Sequence, residues 1–282
     1  MPELPEVETI ARSLARRVTG DRIESVWIGD KPEPLKSSAG EIASLLEGAQ
    51  IAGVRRAGKH LVIDLASPAS PRGAGRGSAR AEAKKGQWIV HLGMTGSVLV
   101  SDPAEHVEKH THLIARLASG RELRFVDPRR FGRLAVVREA FSAPGNEPLE
   151  IGLESFAALF RKRKTPIKSA LLNQKLLSGV GNIYADEALA RAGIRPRRRA
   201  ASLRRAELKK LHASLKSVLK QAIRAGGSSI SDYVDADGQR GFFQFQHRVY
   251  GREGQLCRVC KTSVKRIVIA GRSAHYCPRC QK

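Results

Sequence analysis

The chain holds only four cysteines, and all lie in its last 26 residues: Cys257-x2-Cys260, a sixteen-residue interval, then Cys277-x2-Cys280. Two thiolate pairs at this spacing are the ligand set of a tetrahedral zinc ribbon. No charged-then-apolar signal segment opens the chain, so disulfides are the less favoured use. The interval reads as a β-hairpin turning at Gly271, and so short a ribbon has too little core to fold without its metal. Residues 247–282 are therefore expected to be a zinc-dependent module. Arg272 stands at its hairpin turn, free to enter a groove or touch a phosphate.

Charge identifies the kind of partner. Across 282 residues, 50 Lys and Arg face 27 Asp and Glu, a net +23. So basic a chain suits a polyanion, with nucleic acid the leading candidate. An anionic membrane is the rival, yet no apolar run approaches the roughly 20 residues needed to span a bilayer. A cytoplasmic, nucleoid-associated monomer is expected.

The amino terminus, Met1-Pro2-Glu3-Leu4-Pro5-Glu6-Val7-Glu8, carries the candidate chemistry. Proline at the second position permits removal of Met1, which leaves Pro2 as a free secondary amine. Main-chain amines have a reference pKa of about 7.7–8.0, so part of the population is nucleophilic near neutrality. Attack on an aldehyde-level carbon gives an iminium, an electron sink for breaking neighbouring bonds. Glu3 beside it is a candidate proton donor. Glu6 and Glu8 need only the ordinary reading of acids near a helix start. Val7, Ile10, Leu14 and Val18 then recur at helical spacing up to Gly20, a rigid mount for the terminus.

From Ile23 to Val137 short apolar segments alternate with turns: 23–28, 51–54, 61–65, 88–92, 98–100, 113–117, 123–126 and 134–137. They predict a mostly antiparallel sandwich or barrel, with one short helix at 40–48. Ser67 to Gly86 has nothing large to bury and is expected to be a disordered insertion. Three clusters exceed what a sheet needs. Gly58-Lys59-His60 puts a lysine at a hairpin tip, within reach of a phosphate or of acid-base work. His91-Leu92-Gly93-Met94-Thr95-Gly96 sets a methionine between glycines, as a wedge for a base stack would be. Asp127-Pro128-Arg129-Arg130-Phe131-Gly132 offers Arg129 and Phe131 on a turn, suited to filling the hole left by an extruded base.

Ala143 to Leu153 reads as a linker. Helical patterns follow near 154–164, 167–177, 182–192 and 203–225, the last with Leu208, Leu211, Leu215, Val218, Leu219 and Ala222 on one face. Leu177-Ser178-Gly179-Val180-Gly181-Asn182 is a glycine-rich approach to a helix start, with Asn182 as the N-cap and free N–H groups for a phosphate. Arg161 to Lys164, with Lys168, flank it. Gly226 to Phe243 reads as a glycine-hinged cover or a plain loop.

Together the Met1-Pro-Glu-Leu-Pro-Glu start, the Gly58-Lys59 turn, His91-Leu-Gly-Met94, Asp127-Pro-Arg-Arg-Phe-Gly132, Gly179-Val-Gly-Asn-Ile-Tyr184 and the cysteine tail resemble the bacterial formamidopyrimidine-DNA glycosylases nearly end to end. The insertion at 67–86 is the departure. The resemblance implies an α+β chain. An N-terminal antiparallel β-sandwich domain with an N-terminal helix covers 1–142, and a linker 143–153. A helix-two-turn-helix DNA-binding domain covers 154–246, and the zinc finger 247–282. It implies a bifunctional glycosylase and abasic-site lyase acting on oxidised purines in damaged double-stranded DNA. Pro2 would attack C1′, Glu3 would open the sugar ring, Lys59 would serve β-elimination and Arg272 δ-elimination. Met94, Arg129 and Phe131 would fill the void. His110, Arg129, Lys164 and Asn182 would contact DNA, and Lys168 would help handle the damaged base. The rivals are an endonuclease VIII-like enzyme for oxidised pyrimidines and a non-catalytic zinc-ribbon DNA binder.

Overall fold

The computed structural model describes residues 1–67, 84–230 and 233–282. Most of the expected insertion therefore lies outside the described residues. Its last residues, from Lys84, are already strand and pair with Ala66 and Leu65. The chain forms two compact units. The first comprises Met1–Pro2, Glu6–Ser142 and Ser229–Gly241, and the second Glu3–Pro5, Ala143–Ser228 and Phe242–Lys282.

All eight expected strands form in the first unit. One sheet holds β1 (Ile23–Ile28), β5 (Ser97–Ser101), β6 (Thr111–Leu117) and β7 (Glu122–Val126) in the order β1-β6-β7-β5. The other holds β2 (Gln50–Ala57), β3 (His60–Ala66), β4 (Lys84–His91) and β8 (Arg133–Val137) in the order β2-β3-β4-β8. Every pairing is antiparallel. Apolar residues of both sheets share one core, including Ile51, Leu61 and Trp88 from one and Leu113, Leu123 and Phe125 from the other. Helix α1 (Leu4–Val18) buries Val7, Ile10, Leu14 and Val18 in that core, the stripe its sequence spacing requires. Helix α2 (Ala39–Leu46) starts at a Ser38/Glu41 capping box and buries Ile42, Leu45 and Leu46.

The stretch 229–241, read from sequence within the second half, lies with the first unit. Ala236 joins its core, Ser13 and Arg17 of α1 donate to the Asp237 carboxylate, and the Tyr233 hydroxyl donates to the Glu6 carbonyl.

The second unit contains α3 (Leu153–Phe160), α4 (Ile167–Leu172), α5 (Asn182–Ala192), α6 (Arg205–Arg224), and the hairpin β9 (Lys265–Ile269) and β10 (Arg272–Tyr276). Two helices are shorter than their periodicity suggests. Helix α3 stops before Arg161, and Lys162 takes a left-handed φ of 60°. Helix α4 stops at Leu172 because Asn173 diverts the chain. Its carbonyl accepts from the Leu176 and Leu177 N–H groups, and its side chain accepts from Lys175 N–H. The six apolar residues expected on one face of α6 are all buried. The ribbon has a small hydrophobic cluster of its own, in which Val249, Cys257, Val264 and Cys277 are buried. Among the described residues, no helix is long and apolar enough to cross a membrane.

Candidate active site

In the second unit, α5 begins against the Glu3 carboxylate. Helices leave their first N–H groups unpaired, and Glu3 answers two of them. Ile183 N–H donates to Oε1 at 3.0 Å and Tyr184 N–H to Oε2 at 3.4 Å, while Leu4 N–H donates to the Gly179 carbonyl at 3.0 Å. The positive end of the α5 dipole therefore faces a buried carboxylate. Gly181 is the N-cap, and a Cβ there would overlap the Glu3 carboxyl group. Asn182, read from sequence as the cap, is instead the first helical residue, and its amide donates to Ser273 Oγ at 3.2 Å. Pro2, which precedes Glu3, is buried, whereas Met1 is 47% exposed.

Lys168 departs from its sequence reading as a DNA-facing lysine. It is 0% exposed. Its ammonium lies 2.6 Å from Asp186 Oδ1 and donates to the Ser273 carbonyl. Burial pushes it below the usual lysine range, against the pull of Asp186 and Glu3. Asp186 Oδ2 accepts from the His275 backbone N–H at 2.8 Å and lies 3.2 Å from His275 Nδ1. The neighbouring Glu187 accepts the N–H groups of Arg248, Val249 and Tyr250 at 2.9–3.0 Å. Sequence reasoning passed over both acids. Their signal was two consecutive carboxylates inside the apolar run Ile183-Tyr184-Ala185-Asp186-Glu187-Ala188-Leu189, since buried acids must find partners. Arg272 is exposed at the start of β10, and Lys164 is exposed in the turn after α3.

The four cysteine Sγ atoms all lie within 4.8 Å of one another, with Cys257–Cys280 at 3.9 Å and Cys260–Cys277 at 3.4 Å. Tetrahedral zinc with bonds near 2.3 Å separates its sulfurs by about 3.8 Å, so the cluster fits one zinc. Val259 and Cys280 N–H groups point at the Cys257 and Cys277 sulfurs, supporting their thiolate form.

In the first unit two loops meet. Asp127 is fully buried. Its Oδ2 accepts Gly132 N–H at 2.7 Å and its Oδ1 accepts the Thr95 hydroxyl at 2.6 Å. That ties the Met94 loop to the Arg129–Phe131 turn. Asp127 N–H also donates to the His110 carbonyl, bringing His110 to the same place. Gly93 has a φ of 62°, and a Cβ there would come within 2.5 Å of the Phe131 backbone. The tips stay outside: Met94 is 41% and Phe131 53% exposed, and the Arg129 guanidinium sits 4.9 Å from the Phe131 ring centroid. The loop bearing His110 is pinned by the buried Arg124, which donates to the carbonyls of Asp102, Glu105 and His106 and pairs with Glu122. Arg124 gave no sequence signal, because a strand arginine normally points to water. Lys59 follows Gly58 at the β2–β3 turn, and the next residue, His60, packs 5.0 Å from His91. Burial, with His60 and Lys59 adding to it, holds His91 down to about 4. His91 is thus neutral near pH 7 and accepts Gly93 N–H with Nδ1 at 3.1 Å.

Three family models match the chain in order. They are the formamidopyrimidine-DNA glycosylase N-terminal domain over residues 1–134, the formamidopyrimidine-DNA glycosylase H2TH domain over 144–234, and the zinc finger found in FPG and IleRS over 254–282. A formamidopyrimidine-DNA glycosylase of Solibacter usitatus is 44% identical, with all of both chains covered. The crystal structure of the MutM (FPG) protein from Thermus thermophilus superposes with a TM-score of 0.83 at 39% identity, covering 99% of this chain and 98% of that one. The Lactococcus lactis Fpg in complex with an abasic-site-containing DNA superposes with a TM-score of 0.86 at 32% identity, covering 99% of each chain.

Proposed function

We infer the function from one premise: the chain belongs to the formamidopyrimidine-DNA glycosylase family. It is a base-excision-repair DNA glycosylase for oxidised purines with abasic-site lyase activity, acting on damaged duplex DNA and carrying one structural zinc. A cytoplasmic, nucleoid-associated setting suits that task.

One observation carries the catalytic reading. The residue after Pro2 is a carboxylate locked onto a helix N-terminus, so the terminus is mounted rather than frayed. Once Met1 is removed, the Pro2 nitrogen lone pair attacks the sugar C1′ and the glycosidic bond breaks, with its electrons leaving on the base. The Glu3 carboxylate takes up the proton that the attacking Pro2 nitrogen sheds and delivers it to the ring oxygen as C1′–O4′ opens and the iminium forms. Loss of the C2′ proton then expels the 3′ phosphate, assisted by Lys59. A second elimination expels the 5′ phosphate, assisted by Arg272. Extruding the lesion costs a few kcal/mol of stacking, offset by Met94, Arg129 and Phe131 entering the vacated space. His110, Lys164 and Asn182 hold phosphates.

The substrate class is tested by comparing duplexes containing 8-oxoguanine opposite cytosine with duplexes containing thymine glycol. Faster cleavage of the purine lesion is expected. Faster cleavage of the pyrimidine would favour the endonuclease VIII-like reading.

The Glu3 seat is tested by Gly181→Ala, whose methyl group takes the space of the Glu3 carboxyl. Single-turnover excision is expected to fall by about 10²-fold or more, the usual contribution of a positioned acid. Affinity for an abasic-site analogue duplex should stay within roughly threefold, because the substitution touches no phosphate contact. Undiminished excision would remove Glu3 from the mechanism.

A further inference from the structure

A zinc held by the four cysteines would pin β10 at one end only, through Cys277. A lone two-stranded hairpin is marginal, and a slip of one residue would turn each of its side chains to the other face. The strand's other anchor is the charged cluster of Lys168, Asp186 and His275. The Lys168 ammonium donates to the Ser273 carbonyl and Asp186 accepts the His275 N–H, two backbone groups flanking the buried Ala274. Ser273 Oγ in turn receives the Asn182 amide. Arg272 is the residue immediately before this clamp and projects from it into solvent.

Asp186 and Lys168 are both fully buried. An ion pair of this kind adds little net stability, because desolvating its charges offsets their attraction. What it does impose is direction, since only one placement of β10 against α4 and α5 satisfies both charges. We propose that Asp186, acting through Lys168 and His275, is a positioning residue that sets the register of β10 and so aims Arg272 at the 5′ phosphate of the cleaved site. Lys168 then serves DNA chemistry from inside the protein, without touching DNA. This rests on the reading of Arg272 as the group serving δ-elimination.

The test follows base release on an end-labelled 8-oxoguanine duplex, and β- and δ-elimination products on an end-labelled abasic duplex, using full-length zinc-loaded protein. Asp186→Asn removes the charge facing the Lys168 ammonium, which burial already pushes below the usual lysine range. The δ-to-β product ratio is expected to fall about tenfold, with base excision and β-elimination within roughly threefold and one zinc per chain retained. Arg272→Ala should lower the same ratio, and adding Asp186→Asn to it should lower it no further, as for two groups acting in series. If Arg272→Ala lowers the ratio and Asp186→Asn does not, the positioning role is overturned while the Arg272 reading stands. If Arg272→Ala leaves the ratio unchanged, both fall. An equal drop in all three steps would also overturn the proposal, by showing a general structural loss. Should Asp186→Asn not yield folded protein, Asp186→Glu keeps the charge, moves both oxygens by one methylene, and is expected to lower the ratio in the same way.

Discussion

A chain carrying any residue ahead of Pro2, whether a retained Met1 or an added glycine, is expected to show no excision or lyase activity while still binding damaged duplex. The loss should exceed about 10³-fold, because the effect is on the existence of the nucleophile rather than on its placement. Acylation turns the amine into a planar amide whose lone pair is delocalised. DNA affinity should change little, because the proposed phosphate contacts come from His110, Lys164 and Asn182. The check has two parts. Borohydride reduction during reaction should trap a covalent adduct mapping to Pro2 in processed protein and none in the extended form, and mass spectrometry should find Met1 missing from the active fraction. Met1 is well exposed, as its removal requires. A trapped adduct on a lysine of the extended protein would move the nucleophile elsewhere.

Stripping the zinc, or replacing Cys277 by Ala, is expected to unfold the ribbon and to lower affinity for damaged duplex by about 100-fold or more, while the helical signal of the rest of the second unit survives. The ribbon's own core consists of four buried residues, two of them ligands, far short of what offsets the ordering of roughly 30 residues. Thiolate–zinc bonding supplies about 10 kcal/mol or more in comparable small modules. The helical core is separate. Leu211, Leu215, Val218 and Leu219 of α6 pack with Ile183, Tyr184 and Leu189 of α5, and the ribbon adds only the partly buried Tyr250 at the edge of that cluster. Circular dichroism, metal content and a binding titration on the same sample check all three parts. Full affinity in metal-free protein would contradict the role given to the ribbon.

The two predictions draw on signals of opposite legibility. The zinc cluster was readable in full, since two Cys-x2-Cys pairs can meet one ion through local turns. The Pro2–Glu3 start was readable as candidate chemistry but not as geometry. Nothing in the first ten residues says that Glu3 seats on a helix 180 residues later. Met94 and Phe131, proposed to fill the void, stood out because apolar side chains flanked by glycines are unusual in a sheet protein. The carboxylate that ties their loops together, Asp127, looked like part of an ordinary turn.

What the sequence determined by itself was whatever depends on near neighbours: the eight strands, the α1 stripe, the six buried residues of α6, the ribbon and its metal. These arise from periodicity and spacing over a few residues, where burying an apolar face or filling a coordination shell has one local solution. Only the tertiary structure decided which charges leave water. Lys168 is buried because β10 arrives 105 residues downstream to accept its hydrogen bond. The stretch 229–241 lies with the first unit because Asp237 meets Ser13, 224 residues away. A lysine or aspartate in isolation prefers solvent, and its burial becomes tolerable only when a distant segment supplies the opposite charge or a hydrogen-bond partner.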